Sequence, residues 1–138
     1  MTSGLVTSGL VLIDTSAWVE FLRDTGSPAC VRVDELLGER FAVCDPVRME
    51  VLAGARNERH LHSLRGLLAR GEALRTGPAE YESAAGLYRE CRRRGRTIRR
   101  LIDCLIGATA IAADVRLVHA DADFDALAAC TRLRLAPL

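Results

Sequence analysis

The chain alternates short apolar runs with stretches in which apolar residues return every three or four positions. Residues 9–13 (GLVLI) form a continuous apolar run, the mark of a strand covered on both faces. Asp14-Thr15-Ser16 ends it, and residues 17–22 read as a helix. Pro28 opens a second helix and Gly38 closes it, the order these residues favour at helix ends. Residues 41–44 (FAVC) give a second strand, and Asp45-Pro46 caps and starts a helix that runs to Ala53. Leu61, Leu64, Leu67 and Leu68 set helical spacing over residues 58–69. Residues 73–75 make a weak third strand. Thr76-Gly77-Pro78 then starts a long helix that Gly95 breaks after Arg94. An apolar helix over 98–113, a strand at 117–120, a short helix at 123–129 and a last strand at 133–135 complete the chain. Strands alternating with helices predict right-handed crossovers and an α/β fold, a three-layer α/β/α sandwich with a mainly parallel central sheet. Residues 1–8, rich in Ser, Thr and Gly, read as a flexible leader, and residues 9–138 as one domain.

Composition narrows the chemistry. At 138 residues the chain can bury a core without disulfides or metals. No run approaches the ~18 apolar residues of a spanning helix. Residues 1–8 lack a signal-peptide pattern, so the expected compartment is the cytoplasm. All 19 basic residues are Arg. Without lysine there is no Walker phosphate loop, no Schiff base and no receiver-domain active site. The five cysteines are odd in number and form no CxxC pair, which argues against a disulfide framework or a zinc knuckle. Each sits among apolar neighbours and reads as a small buried hydrophobe.

The informative acids are those in apolar surroundings. Asp14 directly follows the first strand, at the sheet edge where open α/β folds bind ligands. Asp121 and Asp123 follow Leu117-Val118-His119 and share that edge if the strand is parallel. Asp103 lies near the start of a helix too apolar for the surface, and Glu50 lies between Met49 and Val51. Each acid also has a structural explanation. Asp14 and Asp123 are good helix caps, Glu50 can face water, and Arg99, four residues earlier, can pair with Asp103. Taken together, five acids from four elements that meet in one crevice need a cation or a proton. With no Cys or His cluster beside them, an all-oxygen donor set suits Mg²⁺ or Mn²⁺ acting on phosphate esters.

Six arginines, Arg92, Arg93, Arg94, Arg96, Arg99 and Arg100, fall within nine residues just before Asp103. Clustered Arg is the footprint of phosphate-backbone binding, and beside the proposed cation site it reads as a nucleic-acid surface. A solvated helix end or a docking surface for an acidic protein fits the same run. His119 reads as a packed edge histidine, and His60 and His62 lack a third ligand nearby. Ser16 has no His-Asp partner set, which speaks against a hydrolase triad. Trp18 and Phe21 fit either the core or the apolar wall of a partner groove.

Four segments resemble, in order and spacing, the motifs of PIN-domain nucleases. They are Leu12-Ile13-Asp14-Thr15-Ser16-Ala17-Trp18, Met49-Glu50-Val51-Leu52-Ala53-Gly54, Asp103-Cys104-Leu105-Ile106-Gly107-Ala108 and Asp121-Ala122-Asp123-Phe124-Asp125. The size and detail are most similar to VapC-type toxins of bacterial toxin–antitoxin pairs. The resemblance implies a Mg²⁺- or Mn²⁺-dependent endoribonuclease. Its catalytic acids would be Asp14, Glu50, Asp103 and Asp121, with Asp14, Asp103, Asp121 and Asp123 at the metal and Ser16 and Thr15 in support. It also implies a homodimer held inactive by a VapB-type antitoxin that covers the groove, and tRNA or rRNA as substrate. A Toprim-like domain would instead place Glu50 at a strand's end. A haloacid-dehalogenase-like phosphatase would want an acid where Ser16 stands, and a non-catalytic PIN module would lack some of the acids.

Overall fold

The computed structural model describes residues 9–138, so the leader expected over residues 1–8 lies outside the described residues. Four strands are seen among these residues: β1 (Val11–Ile13), β2 (Ala42–Cys44), β3 (Glu72–Leu74) and β4 (Arg116–Val118). They form one sheet in the order β3-β2-β1-β4, and every pairing is parallel. β1 and β2 are buried at every residue, as a strand flanked on both faces requires. Seven helices connect them: α1 (Thr15–Leu22), α2 (Pro28–Leu37), α3 (Asp45–Ala53), α4 (Glu58–Leu68), α5 (Pro78–Arg93), α6 (Leu101–Ala113) and α7 (Ala122–Cys130). The steps from β1 to β2 to β3 go one way across the sheet, and the step to β4 returns past β1. Right-handed crossovers therefore put α1–α4 over one face and α5 and α6 over the other. The packing agrees: α1 lies on α2, α3 on α4, and α5, α6 and α7 pack together. This is the expected three-layer α/β/α sandwich.

Several element ends differ from the sequence expectation, each for a local reason. α1 starts at Thr15 because Asp14 caps it. α6 starts at Leu101 and not at residue 98. Gly95 takes the left-handed φ of 78° that ends α5, and Ile98 buries itself before the next helix begins. Asp121, not Asp123, caps α7 by accepting from Asp123 N. The last strand shrinks to one parallel bridge, Leu117 to Leu135. Pro137, two residues on, has no N–H to carry a ladder further. All five cysteines are free and buried, as read.

Trp18 has no exposed surface and packs edge-on against Phe21 and Phe41, with ring centroids 6.3 and 5.6 Å away. It belongs to the core and is not an anchor for a partner; Phe21 is only partly buried. The sheet order has one consequence for chemistry. The connection after β1 runs toward β2 and away from β4, so a crevice opens between the carboxyl ends of β1 and β4.

Candidate active site

Asp14 sits in that crevice with no exposed surface. Its backbone N donates to Val118 O at 2.9 Å, which ties it to β4. Its Oδ2 accepts from Ser16 N at 2.8 Å and from Ser16 Oγ at 2.6 Å. Ser16 Oγ in turn accepts from Ala120 N at 2.8 Å. One hydroxyl thus fixes the acid after β1 against the loop after β4. That loop is ordered from its other side by His119, whose Nδ1 accepts from Asp121 N at 3.0 Å while its ring lies on Phe124.

The other acids arrive from helices. Glu50 projects from α3, and Thr15 Oγ1 donates to its Oε1 at 2.6 Å. Asp103, in the first turn of α6, is fully buried. Asp121 and Asp123 stand at the start of α7. Two arginines from the extended segment before α6 bind these four acids. Arg100 donates to Asp103 Oδ1 at 3.1 Å and to Glu50 Oε2 at 3.4 Å. Arg99 donates to Asp121 Oδ1 at 2.8 Å, and its Nε and backbone N both donate to Asp123 Oδ2. Asp103 therefore pairs with Arg100 and not with Arg99, because α6 begins only after both arginines.

Burial and mutual repulsion show in the proton affinities. Burial pushes the Asp103 carboxyl up to about 6, with Asp14 and Asp121 adding to the rise and Arg100 opposing it. Asp14 is also raised, first by burial and then by Glu50, against the hydrogen bonds from Ser16. Arg100 feels Asp103, Glu50 and Asp14 together, which outweighs its own burial. These mutual influences mark one electrostatic cluster.

Two carboxylate oxygens, Asp14 Oδ1 and Asp103 Oδ2, are buried without a hydrogen-bond partner; among the described residues only Trp18 Nε1 shares that state. An unpaired buried carboxylate oxygen is costly, and a hard divalent cation is the ligand that an all-oxygen set satisfies. The residues therefore fit Mg²⁺ or Mn²⁺. No three His, Cys, Asp or Glu side chains among the described residues stand ready in ligating geometry. The arginines hold four of the five acids instead.

The rest of the arginine run divides. Arg93 and Arg94 pair with Glu90, and Arg92 lies over the Tyr88 ring at 5.6 Å. Arg96 is exposed. A cavity of about 320 Å³ borders Glu50, walled by Val19, Leu22, Val51 and Leu64 and reached by His60. A second, of about 430 Å³, borders Asp121. The Ser16–Ala120 and Thr15–Glu50 bonds join residues far apart in the chain and leave no local signal in the sequence. Glu50 stands within a helix, not at a strand's end, which removes the Toprim-like alternative.

Acids at the carboxyl edge of a parallel sheet inside this three-layer sandwich define a class. The chain belongs to the PIN-domain family, whose model matches residues 11–129. It is 47% identical over 131 residues to Ribonuclease VapC11 of Mycobacterium tuberculosis, covering 92% of this chain and 98% of that one. Identity and coverage are the same with VapC ribonuclease Mb1587 of Mycobacterium bovis. The fold is also that of VapBC2 from Rickettsia felis, solved bound to a promoter DNA fragment, with a TM-score of 0.72 at 20% identity over 92% of this chain and 97% of that one. It is likewise that of Mycobacterium tuberculosis VapC20, described as a sarcin-ricin loop cleaving toxin, with a TM-score of 0.66 at 16% identity over 90% and 98%.

Proposed function

We propose that this chain is a Mg²⁺- or Mn²⁺-dependent endoribonuclease and the toxin of a toxin–antitoxin pair. The observation that carries the reading is the pair of buried, unpartnered oxygens on Asp14 and Asp103 inside a five-acid cluster. The ribonuclease names of relatives at 47% identity support RNA as substrate, and the family resemblance makes tRNA or rRNA the class to test first. Asp14, Asp103 and Asp121 would hold the cation, with Asp123 beside them. When bound, it polarises a phosphoryl oxygen and lowers the pKa of the attacking water. Ser16 fixes Asp14 by Oδ2, which leaves Oδ1 without a hydrogen-bond partner and open to a cation. Thr15 holds Glu50 by Oε1 and Arg100 reaches its Oε2, so Glu50 can take a proton from the attacking water through Oε2 once Arg100 releases it. Arg92, Arg93, Arg94 and Arg96, with Arg99 and Arg100, supply positive charge for the RNA backbone.

The apolar-walled cavity beside Glu50 suits a VapB-type antitoxin, the kind of partner in the VapBC assemblies that share the fold. Exposed Met49 and Tyr81 line one further cavity beside Leu105 and offer a surface for a homodimer. No helix among the described residues is long and apolar enough to cross a membrane, and the reading places the protein with its RNA in the cytoplasm.

The test is cleavage of RNA by the purified chain in Mg²⁺ or Mn²⁺. Asp14→Asn keeps a capping side chain for α1, and Asp103→Asn keeps the shape of a buried acid. Each should lower the rate by about 100-fold or more with the fold intact by circular dichroism. Full activity in both variants, or in excess EDTA, overturns the reading.

A further inference from the structure

The two arginines at the acid cluster are placed as its lid. Asp103 has no exposed side-chain surface, and Glu50, Asp121 and Asp123 are only 17%, 15% and 14% exposed. Arg100 is 50% exposed and Arg99 69%. The acids therefore lie beneath and the guanidinium groups face solvent, on an extended segment that Gly95 releases from α5. Between them the two side chains engage four carboxylates from three helices.

The fit is incomplete in a telling way. A guanidinium is a planar fork of donors, whereas a metal ion accepts oxygens from all sides. Arg100 takes one oxygen of Asp103 and one of Glu50, yet Asp103 Oδ2 and Asp14 Oδ1 remain unpartnered. A divalent cation on those two oxygens would share the Asp103 carboxylate with Arg100. Two cations on one carboxylate repel, and because Asp103 itself is fully buried, solvent on the Arg100 side screens that repulsion only in part.

We propose that Arg100 is the cluster's resident counter-ion, which a divalent cation must displace to bind. The inference rests on the reading of the acids as a metal site. Without metal, Arg100 holds Asp103 and Glu50 together and offsets their repulsion. Metal binding turns the guanidinium outward, where it becomes free to meet an RNA phosphate. Metal loading and exposure of a phosphate-binding arginine are then one event. Arg99, engaged with Asp121 and Asp123, makes the same exchange wherever Asp121 joins the metal.

The experiment is Mn²⁺ titration by calorimetry of the wild-type chain, Arg100→Gln and Asp14→Asn, with no RNA present. Arg100→Gln should bind Mn²⁺ about tenfold more tightly than wild type. It should also melt lower than wild type in EDTA and gain more from Mn²⁺. Equal or weaker Mn²⁺ binding by Arg100→Gln would show that Arg100 positions the acids instead, and would overturn the proposal. A second measurement uses the wild-type chain alone, so it does not depend on the variant folding. The guanidinium NMR signals of Arg100 should shift on addition of Mg²⁺, and unchanged signals under metal saturation refute displacement. The metal-site reading fails separately, and takes this inference with it, if wild type binds no Mn²⁺ or if Asp14→Asn binds it equally well.

Discussion

Asp103 is the residue whose chemistry depends most on its surroundings. Its neighbours in α6 are Ile102, Cys104, Leu105 and Ile106, and the buried helix gives its charge little water. Raising a carboxyl from 3.8 to about 6 favours its protonated form by on the order of 3 kcal/mol in the folded chain. The sign follows from proton counting. Between pH 4 and 6 the metal-free folded state holds a proton that the unfolded state has lost, so this group's contribution to stability falls as pH rises. In EDTA, Asp103→Asn should therefore gain on wild type between pH 4.5 and 7.5, as read from urea unfolding at a series of pH values. Saturating Mg²⁺ should reverse the wild-type trend, because the cation needs the ionised acid. A stability difference that stays flat with pH would mean that Asp103 titrates alike in both states.

At the scale of elements, the site depends on how helices start and strands end. Asp14 and Asp121 are both N-caps, so the acids that face the crevice also define the first turns of α1 and α7. Cap and active-site acid are therefore not competing explanations for these two residues. The sheet edge is set by a different device. β3 follows Gly71, where an added Cβ would lie 2.5 Å from Val43 Cγ2 and 2.6 Å from Phe41 Cε1. Both neighbours are buried core side chains and have little room to move. Gly71→Ala should cost about 1–3 kcal/mol of stability in chemical denaturation, by overpacking and not by backbone strain. Because β3 lies at the far edge from β4, the acids should keep their geometry, and cleavage at low temperature should stay near the wild-type level.

For the molecule as a whole, a net charge of +1 conceals an uneven distribution. Five of the 18 acids are gathered at the crevice, and arginines cluster at the end of α5 and in the segment after it. RNA held by that surface should show affinity that falls steeply with salt, since backbone contacts release counterions. Replacing Arg93 and Arg96 together with Ala should weaken binding to unrelated RNAs alike. The slope of log affinity against log salt should flatten by roughly one unit per lost contact. Filter binding across a salt series measures this, and an unchanged slope would return the run to a solvated helix end.

By itself the sequence determined the layer architecture, because hydrophobic period separates buried strands from amphipathic helices over a few residues. It also marked Asp14 and Asp103, since an acid next to or inside an apolar run stands out locally. Glu50, between Met49 and Val51, was marked more weakly, since on an ordinary helix an acid can equally face water. The tertiary structure alone decided which charges meet. Arg100 reaches Glu50 across fifty positions, and Ser16 receives the Ala120 N–H across 104. Those contacts exist because parallel strands bring the ends of β1 and β4 together and crossovers lay α3, α6 and α7 around them. Tertiary packing also put Trp18 in the core and moved the start of α6 past both arginines. Periodicity is a property of neighbours in the chain, whereas charge pairing is a property of neighbours in space, and only folding makes the second known.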